Sequence, residues 1–215
     1  MTRRDGLLPL IAAAVIAAAF AVAQTAVPVE QEPHHRLTFE NPYVRVLNVD
    51  FPPGYVSLFH THSLDNVGVR LTESVTRTDT LAAQGESQTF PVGRIAFNSA
   101  TPPYTHRVVN TGSNAVRILD VEIVGGIAVP GGSARDDVAG HEVVIDNAHV
   151  RVTRIRLSAG QSLPAHTHPH GWLTIDVVGP NAGHLEWHAP AAITPVAGNL
   201  TTSTEIVEVE PKPRL

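Results

Sequence analysis

Three histidines have the residue type and the spacing of a metal site. His60 and His62 are separated by one residue, and His106 opens an H-x3-N motif 44 residues after His62. In a β-strand the side chains at positions i and i+2 point to the same side, so His60 and His62 would project together. Two such imidazoles are half of a site for a divalent transition metal, and a third from a distant strand would complete it.

The same pattern recurs once, at an offset of 106 residues. A second match, between residues 93–98 and 183–188, has an offset of 90. Self-similarity in a constant register indicates a duplicated module. The pairs at the offset of 106 are Glu40–Val46 with Asp146–Val152, Gly54 with Gly160, His60 with His166, and His62 with His168.

Both copies have the pattern of β-structure. Short alternating runs are separated by Gly and Pro turns, and no stretch after residue 24 has helical periodicity, so we predict an all-β protein. The predicted domains are residues 35–125 and 141–211, joined by a Gly/Pro-rich linker at 126–140 and preceded by an N-terminal segment at 24–34.

These motifs resemble those of a known family. Gly54–His62 and Gly160–His168 are similar to the first conserved motif of the cupins, G-x5-H-x-H-x3,4-E-x6-G, and Gly93–Asn110 is similar to the second. Two copies resemble a bicupin over nearly the whole chain after residue 24. The resemblance implies two tandem jelly-roll β-barrels, each able to hold one divalent metal in its mouth. The ligands that it implies in the first copy are His60, His62 and His106.

The first copy lacks the glutamate of the family motif. The positions at which it would fall hold Asn66 and Val67, and Asp65 lies next to them. The site is therefore either three histidines with open coordination positions or three histidines helped by Asp65 or Asn66. Asp65 is also the nearest candidate for a catalytic acid or base, and Asn66 is a candidate pocket residue. The alternative is that the three histidines line an apolar pocket that binds no metal.

The second copy has lost more of the motif. His166 and His168 remain, but Trp172 stands at the glutamate position and residues 194–196, at the position equivalent to His106, contain no histidine. We expect this copy to be metal-free or to bind weakly through His166 and His168, with Trp172 as a core or pocket-wall residue. His170, His184 or His188 could substitute for the missing third histidine, although none of them stands at the matching position. Four other histidines are expected to have no role: His34, His35, His141 and His149.

Composition excludes several classes of function. The formal net charge is −5, without a long run of one sign, which argues against binding to nucleic acid or to an anionic membrane. The chain contains no cysteine, so thiolate metal sites, thiol nucleophiles and disulfides are excluded.

The N-terminus has the pattern of an export signal. Arg3 and Arg4 precede an apolar run from Gly6 to Ala23, which ends in a small-x-small cleavage pattern. We predict a signal peptide at 1–23, cleavage after Ala23, and a periplasmic or secreted protein without stable membrane association. An uncleaved anchor is the alternative.

Two functions remain open at this point. One is a metal-dependent enzyme, in which His60, His62 and His106 hold iron, manganese, nickel, copper or zinc; the resemblance implies oxygenase or isomerase chemistry on a small oxygenated molecule. A set of three histidines resembles the dioxygenases within the family. The other is a non-catalytic module that binds a small ligand or a metal. Exposed sheet edges would also allow a homodimer.

Overall fold

The computed structural model describes residues 25–128, 140–191 and 201–213. Within these ranges the regular structure is β-strand apart from one 3-10 turn at Val29–Gln31, so the predicted all-β class is confirmed. No helix of the described ranges is long and apolar enough to cross a membrane.

Two predicted segments fall largely outside these ranges. The signal peptide at 1–23 is not described, and of the linker at 126–140 only the two ends are described.

Ten strands lie in residues 25–128, the first of them in the N-terminal segment and the other nine in the first repeat. In chain order they are β1 (Val27–Pro28), β2 (His35–Glu40), β3 (Val44–Phe51), β4 (His60–His62), β5 (Asn66–Arg70), β6 (Ser74–Thr80), β7 (Ser87–Phe90), β8 (Ile95–Asn98), β9 (Tyr104–Asn110) and β10 (Val116–Ile123). They form two five-stranded sheets: sheet one has the order β1-β4-β9-β6-β7, and sheet two has the order β2-β3-β10-β5-β8.

The described part of the second repeat contributes five strands. They are β11 (His141–Asp146), β12 (Val150–Leu157), β13 (Trp172–Val178), β14 (Leu185–His188) and β15 (Thr204–Pro211). They form sheet three, with the order β11-β12-β15-β13-β14. This order corresponds strand for strand to that of sheet two, as the matched sequence segments predict.

The predicted closed barrels are not observed, because the described strands form three separate sheets. In the second repeat the reason is visible in the sequence. The segment that should form the counterpart of β4 contains Pro164 and Pro169, which have no backbone N–H to donate to a ladder. Residues 161–168 accordingly form no strand.

The main hydrophobic core lies between sheets two and three. On β5, Val67 and Val69 face this core, whereas Asn66, Gly68 and Arg70 face the opposite side and line a cavity. Sheet two is therefore covered on both faces, and its polar face is available for a site. The core residues of sheet two are Val44, Val46, Val67, Val69, Leu119, Val121 and Ile123, and those of sheet three are Val150, Val152, Leu173, Ile175, Val177, Val207 and Val209.

The N-terminal segment is attached to sheet one. Strand β1 pairs with β4 in parallel, with Val27 opposite His60. Glu32 is buried and accepts hydrogen bonds from Tyr55 Oη at 2.7 Å and from the backbone N–H of His34 at 2.8 Å, and its carboxylate lies 2.8 Å from His35 Nδ1. His35, for which the sequence predicts no role, is thereby held in the interior.

Candidate metal centre

The three histidines predicted as ligands lie together between sheets one and two. His60 and His106 are direct partners on the neighbouring antiparallel strands β4 and β9. His62 projects to the same side as His60, because the two positions are i and i+2 of one strand. His60 Nε2 lies 2.9 Å from His106 Nε2, and each of the three residues offers a ring nitrogen within 4.8 Å of the others.

All three imidazoles are neutral at physiological pH. Burial disfavours the imidazolium form and lowers the pKa of His60 to about 4, of His62 to about 2 and of His106 to about 3. The proximity of the other histidines contributes further to each shift. A neutral imidazole has a lone pair to donate, which is the form that a metal ligand requires.

The ring nitrogens are oriented as a metal site requires. His60 Nδ1 lies 2.9 Å from the carbonyl oxygen of Leu58, so its Nε2 faces His106. His62 Nδ1 lies 3.2 Å from Asn66 Nδ2, whereas His62 Nε2 is buried and has no hydrogen-bond partner within the described residues. A buried nitrogen without a partner is costly, and a metal ion would satisfy it. The residues present therefore fit a divalent transition metal.

Asn66 lies in the cavity, as the sequence predicts, but its contacts are to other side chains. Its Nδ2 donates to Tyr104 Oη at 2.7 Å, and its Oδ1 accepts from Asn98 Nδ2 at 2.9 Å. These bonds place Asn66 as a residue that orients His62 and Tyr104.

Asp65 does not take part in the site, and the prediction of Asp65 as a catalytic candidate or extra ligand is corrected. Its Oδ1 accepts hydrogen bonds from Ala100 N at 2.7 Å and Ser99 Oγ at 3.2 Å, and its Oδ2 lies 3.3 Å from His149 Nδ1. It precedes Asn66 by one residue, so strand alternation turns its side chain away from the cavity. The contact with His149 joins the two repeats.

The imidazoles line a cavity of about 290 Å³ that reaches the surface. His60 is fully buried, whereas Arg94, which lines the same cavity, is exposed. The cavity thus runs from solvent to the three histidines and has room for a small molecule.

Two arginines line this cavity without a carboxylate partner among the described residues. The Arg70 guanidinium donates to Ser74 Oγ at 2.5 Å and to Thr76 Oγ1 at 3.0 Å, both of them neutral acceptors. The guanidinium carbons of Arg70 and Arg94 lie 4.2 Å and 5.3 Å from the ring centroid of Phe90. Burial and the charge of Arg94 lower the pKa of Arg70 to about 10, which leaves it cationic at neutral pH.

Sequence reasoning missed one acid of the cavity. Asp120 on β10 has its Oδ2 3.6 Å from His62 Nδ1. Burial, and then the charge of Glu122, raise the pKa of Asp120 to about 7. A signal was present in the sequence, because Asp120 and Glu122 alternate with the apolar residues of strand Val116–Ile123.

The predicted site residues of the second repeat form another cluster. The rings of His166 and His168 are 5.1 Å apart, and Trp172 is fully buried with its ring 4.3 Å from that of His168. The structure adds two residues that the sequence did not indicate: His141, whose Nε2 lies 3.2 Å from His166 Nε2, and Glu208, whose Oε1 lies 3.3 Å from the same atom.

The sequence matches no protein-family profile and no curated protein, whereas solved structures resemble it. YhhW from Escherichia coli is 13% identical, covers 84% of this chain and 90% of its own, and has a TM-score of 0.55. A salicylate 1,2-dioxygenase from Pseudaminobacter salicylatoxidans is 11% identical, covers 78% of this chain and 70% of its own, and has a TM-score of 0.53. A cupin domain from Bordetella pertussis covers 46% of this chain at 22% identity, with a TM-score of 0.38.

These likenesses concern the fold and not the chemistry, because the identities are low. YhhW and the salicylate 1,2-dioxygenase share the all-β architecture described above. The chain thus has the fold of these two proteins, with a histidine cluster suited to a metal ion in its first repeat.

Proposed function

We propose that the protein is a metal-dependent oxidoreductase of the dioxygenase type, which acts on a small oxygenated molecule bearing an anionic group. One divalent transition metal, either iron, manganese, nickel, copper or zinc, binds to His60, His62 and His106. The observation that carries the proposal is the contact among three neutral imidazoles, those of buried His60 and His62 and of half-buried His106, which line a cavity open to solvent.

Three protein ligands suit a catalytic metal, because catalytic sites keep coordination positions open for substrate and water or O₂. A metal bound there supplies Lewis acidity and, if it is redox-active, a route for electrons. Imidazole suits all five metals, so the ligand set does not choose among them.

Residues of the chain itself bind and orient the substrate. Arg70 and Arg94 offer two guanidinium groups to the cavity, and no carboxylate of the described residues pairs with either. A carboxylate or another oxyanion is the group that such a pair recognises through charge-assisted hydrogen bonds. Phe90 holds the two guanidinium groups by cation–π contact.

Two further residues can hold or move a proton beside the substrate. Burial raises the pKa of Tyr104 well above its usual range, so the phenol keeps its proton. Because Asn66 donates to the phenol oxygen, that proton is free for a substrate oxygen. Asp120, with a pKa of about 7, can hold a proton on its carboxylate or release it near neutral pH.

The proposal is tested on protein purified without a chelator or a histidine tag. Elemental analysis measures the bound metal, and O₂ consumption is followed with a panel of small hydroxy- and oxo-carboxylates after reconstitution with each of the five metals. We expect His106→Ala to hold one equivalent of metal less than His184→Ala, a matched control in which an exposed histidine is removed. O₂ uptake should require both metal and carboxylate and should be lost in His106→Ala.

Two results would count against the proposal. If His106→Ala and His184→Ala hold the same amount of metal, the first repeat does not bind metal through this cluster. If carboxylates bind to the metal-loaded protein but none is turned over with any of the five metals, the first repeat is a non-catalytic binding module.

A further inference from the structure

A second group of metal-ligand side chains lies on the face of sheet three opposite to the shared core, outside the cavity of the first repeat. His141 begins β11, Glu208 lies on β15, and His166 and His168 belong to the strandless segment between β12 and β13. Glu208 is 1% exposed and His166 5% exposed, so the group is desolvated.

Three of these residues can each offer one atom to a single ion, because a ring nitrogen of His141, a ring nitrogen of His166 and a carboxylate oxygen of Glu208 all lie within 4.8 Å of one another. Zn–N bonds of about 2.0–2.1 Å at the tetrahedral angle separate neighbouring ligand atoms by about 3.3–3.4 Å. The observed separations are 3.3 Å from Glu208 Oε1 to His166 Nε2 and 3.5 Å from Glu208 Oε2 to His141 Nε2. His141 Nε2 and His166 Nε2 are 3.2 Å apart.

His168 is an ion-pair partner of this group, because its Nε2 lies 3.3 Å from Glu208 Oε2 and its Nδ1 lies 3.4 Å from Glu210 Oε2. The other two imidazoles face each other and the same carboxylate: His141 Nε2 lies 3.2 Å from His166 Nε2, and neither nitrogen is directed to solvent. Glu208 Oε2 is buried and has no hydrogen bond of good geometry to any described residue. A metal ion between His141, His166 and Glu208 would satisfy these atoms.

An outer contact fixes the orientation of His166. Its Nδ1 lies 2.9 Å from the carbonyl oxygen of Pro164, which reproduces the contact of His60 with Leu58 in the first repeat. This arrangement leaves His166 Nε2 for a metal, since a ligating histidine gives its other nitrogen to a carbonyl or a carboxylate.

Two of the proposed ligands, His141 and Glu208, lie outside the family motif, but each has a structural counterpart in the first repeat. His141 stands 106 residues after His35 and occupies the equivalent place at the start of its sheet. Glu208 pairs with Thr153 as Asp120 pairs with Leu47, so Glu208 is the counterpart of Asp120. The longer side chain of glutamate reaches the imidazoles.

We propose that the second repeat binds one zinc-type divalent cation through His141, His166 and Glu208, with water completing a tetrahedral coordination sphere. The role of the ion is structural, because its three ligands come from three separate segments of the repeat. The ion ties the segment 158–171, which contains Pro164 and Pro169 and no strand, to β11 and β15. The ion thus replaces the ladder hydrogen bonds that this segment lacks.

The test measures metal binding to the full chain and does not depend on activity. The protein is stripped with a chelator and titrated with Zn²⁺, and with Co²⁺ to record the strong visible absorption of tetrahedral cobalt. Glu208→Gln removes the charge at constant shape, and Glu186→Gln, an exposed glutamate on β14, is the matched control.

We expect Glu208→Gln to lose one equivalent of Zn²⁺, with affinity at that site reduced at least about 100-fold, and to lose the tetrahedral cobalt spectrum. Saturating Zn²⁺ should raise the Tm of the control by about 5–10 °C at a hundredfold excess over Kd, and that of Glu208→Gln by less. His141→Ala should behave like Glu208→Gln, which guards against a folding defect of one variant.

The outcome for this site is separable from that for the first repeat. In a His106→Ala background one equivalent of Zn²⁺ and the cobalt spectrum should remain, and Glu208→Gln should then abolish both. If that background binds no Zn²⁺ while remaining folded, or if Glu208→Gln binds Zn²⁺ as the Glu186→Gln control does, the group is a metal-free histidine–carboxylate network and the proposal is wrong.

Discussion

His35 packs against His60 with the two ring centroids 4.6 Å apart. In the second repeat the equivalent pair, His141 and His166, has the same separation of 4.6 Å. The nitrogens are used differently, however: His35 Nδ1 lies 2.8 Å from Glu32, whereas His141 Nε2 faces His166 Nε2 at 3.2 Å. His35 therefore packs against a proposed ligand in the first repeat, whereas we propose that its counterpart His141 is itself a ligand in the second repeat.

Arg70→Gln should weaken the binding of a small carboxylate about 10- to 100-fold, because a charge-assisted hydrogen bond contributes about 1.5–3 kcal/mol. Metal content should not change, since the contacts of the Arg70 guanidinium are to Ser74, Thr76 and Phe90 and not to the imidazoles. Calorimetric titration of the metal-loaded protein with a carboxylate measures the effect.

The control for Arg70→Gln is Arg36→Gln, which removes an exposed arginine outside the cavity. Equal affinity of the Arg70 variant and the Arg36 variant would show that the cavity does not recognise an anion through Arg70.

Glu32→Gln should lower the free energy of unfolding by about 1–3 kcal/mol at pH 7. Burial opposes the ionisation of Glu32, but hydrogen bonds from His35, Tyr55 and the backbone N–H of His34 outweigh burial and lower its pKa from 4.5 to about 2. A carboxylate with a depressed pKa stabilises the fold above its unfolded-state pKa, and this contribution is lost as the pH falls through the folded-state pKa.

The difference in stability between the wild-type protein and Glu32→Gln should therefore be full above about pH 5 and shrink between pH 4.5 and about 2. Urea unfolding at a series of pH values measures it, with the exposed Glu40→Gln as the control. If the difference in unfolding free energy stays constant from pH 7 to pH 3, the ionised carboxylate of Glu32 does not stabilise the fold as proposed.

Asn110→Ala should lower the free energy of unfolding by about 1–3 kcal/mol without changing the metal content. Asn110 is buried, its Nδ2 donates to the carbonyl oxygens of Phe51 and Asn114 at 2.9 Å each, and its Oδ1 accepts from Gly112 N at 3.1 Å. The asparagine of the H-x3-N motif thus closes a turn and binds no metal.

Denaturant unfolding and elemental analysis of the same preparations test this role. Asn114→Ala, at an exposed position in the same turn, should stay within about 0.5 kcal/mol of the wild-type protein. Loss of metal from a folded Asn110→Ala protein would contradict a purely structural role.

Leu173→Ala should lower the free energy of unfolding by about 2–5 kcal/mol, because it opens a cavity in the core that sheets two and three share. Since Leu173 of the second repeat belongs to one cluster with Val67 and Val121 of the first, backbone amides of both sheets should lose protection. Hydrogen exchange read out by mass spectrometry measures this.

Val178→Ala is the control, because Val178 ends the same strand and is 40% exposed. If Leu173→Ala reduces protection in sheet three while the strands of sheet two keep theirs, the two repeats unfold independently and the shared core does not couple them.

Local sequence patterns were sufficient to predict part of the structure of this protein. The alternation of apolar and polar residues predicts strands, and an i, i+2 spacing places His60 and His62 on one side of a strand wherever that strand lies. The offset of 106 between the repeats likewise predicts that sheets two and three have corresponding orders. These features depend on neighbouring residues or on direct comparison of segments.

The tertiary structure decided the rest, because strand register joins residues that are far apart in the chain. It turns Asp65 toward Ala100 and away from the cavity, and it brings Arg70 and Arg94 to one cavity. It also brings Glu208 beside His141, which is 67 residues away in the sequence. The second repeat lacks the glutamate and the third histidine of the family motif, so the motif does not point to this pair. No periodicity of the sequence predicts that such residues are neighbours, because their proximity depends on the register in which β12 pairs with β15 in the folded sheet.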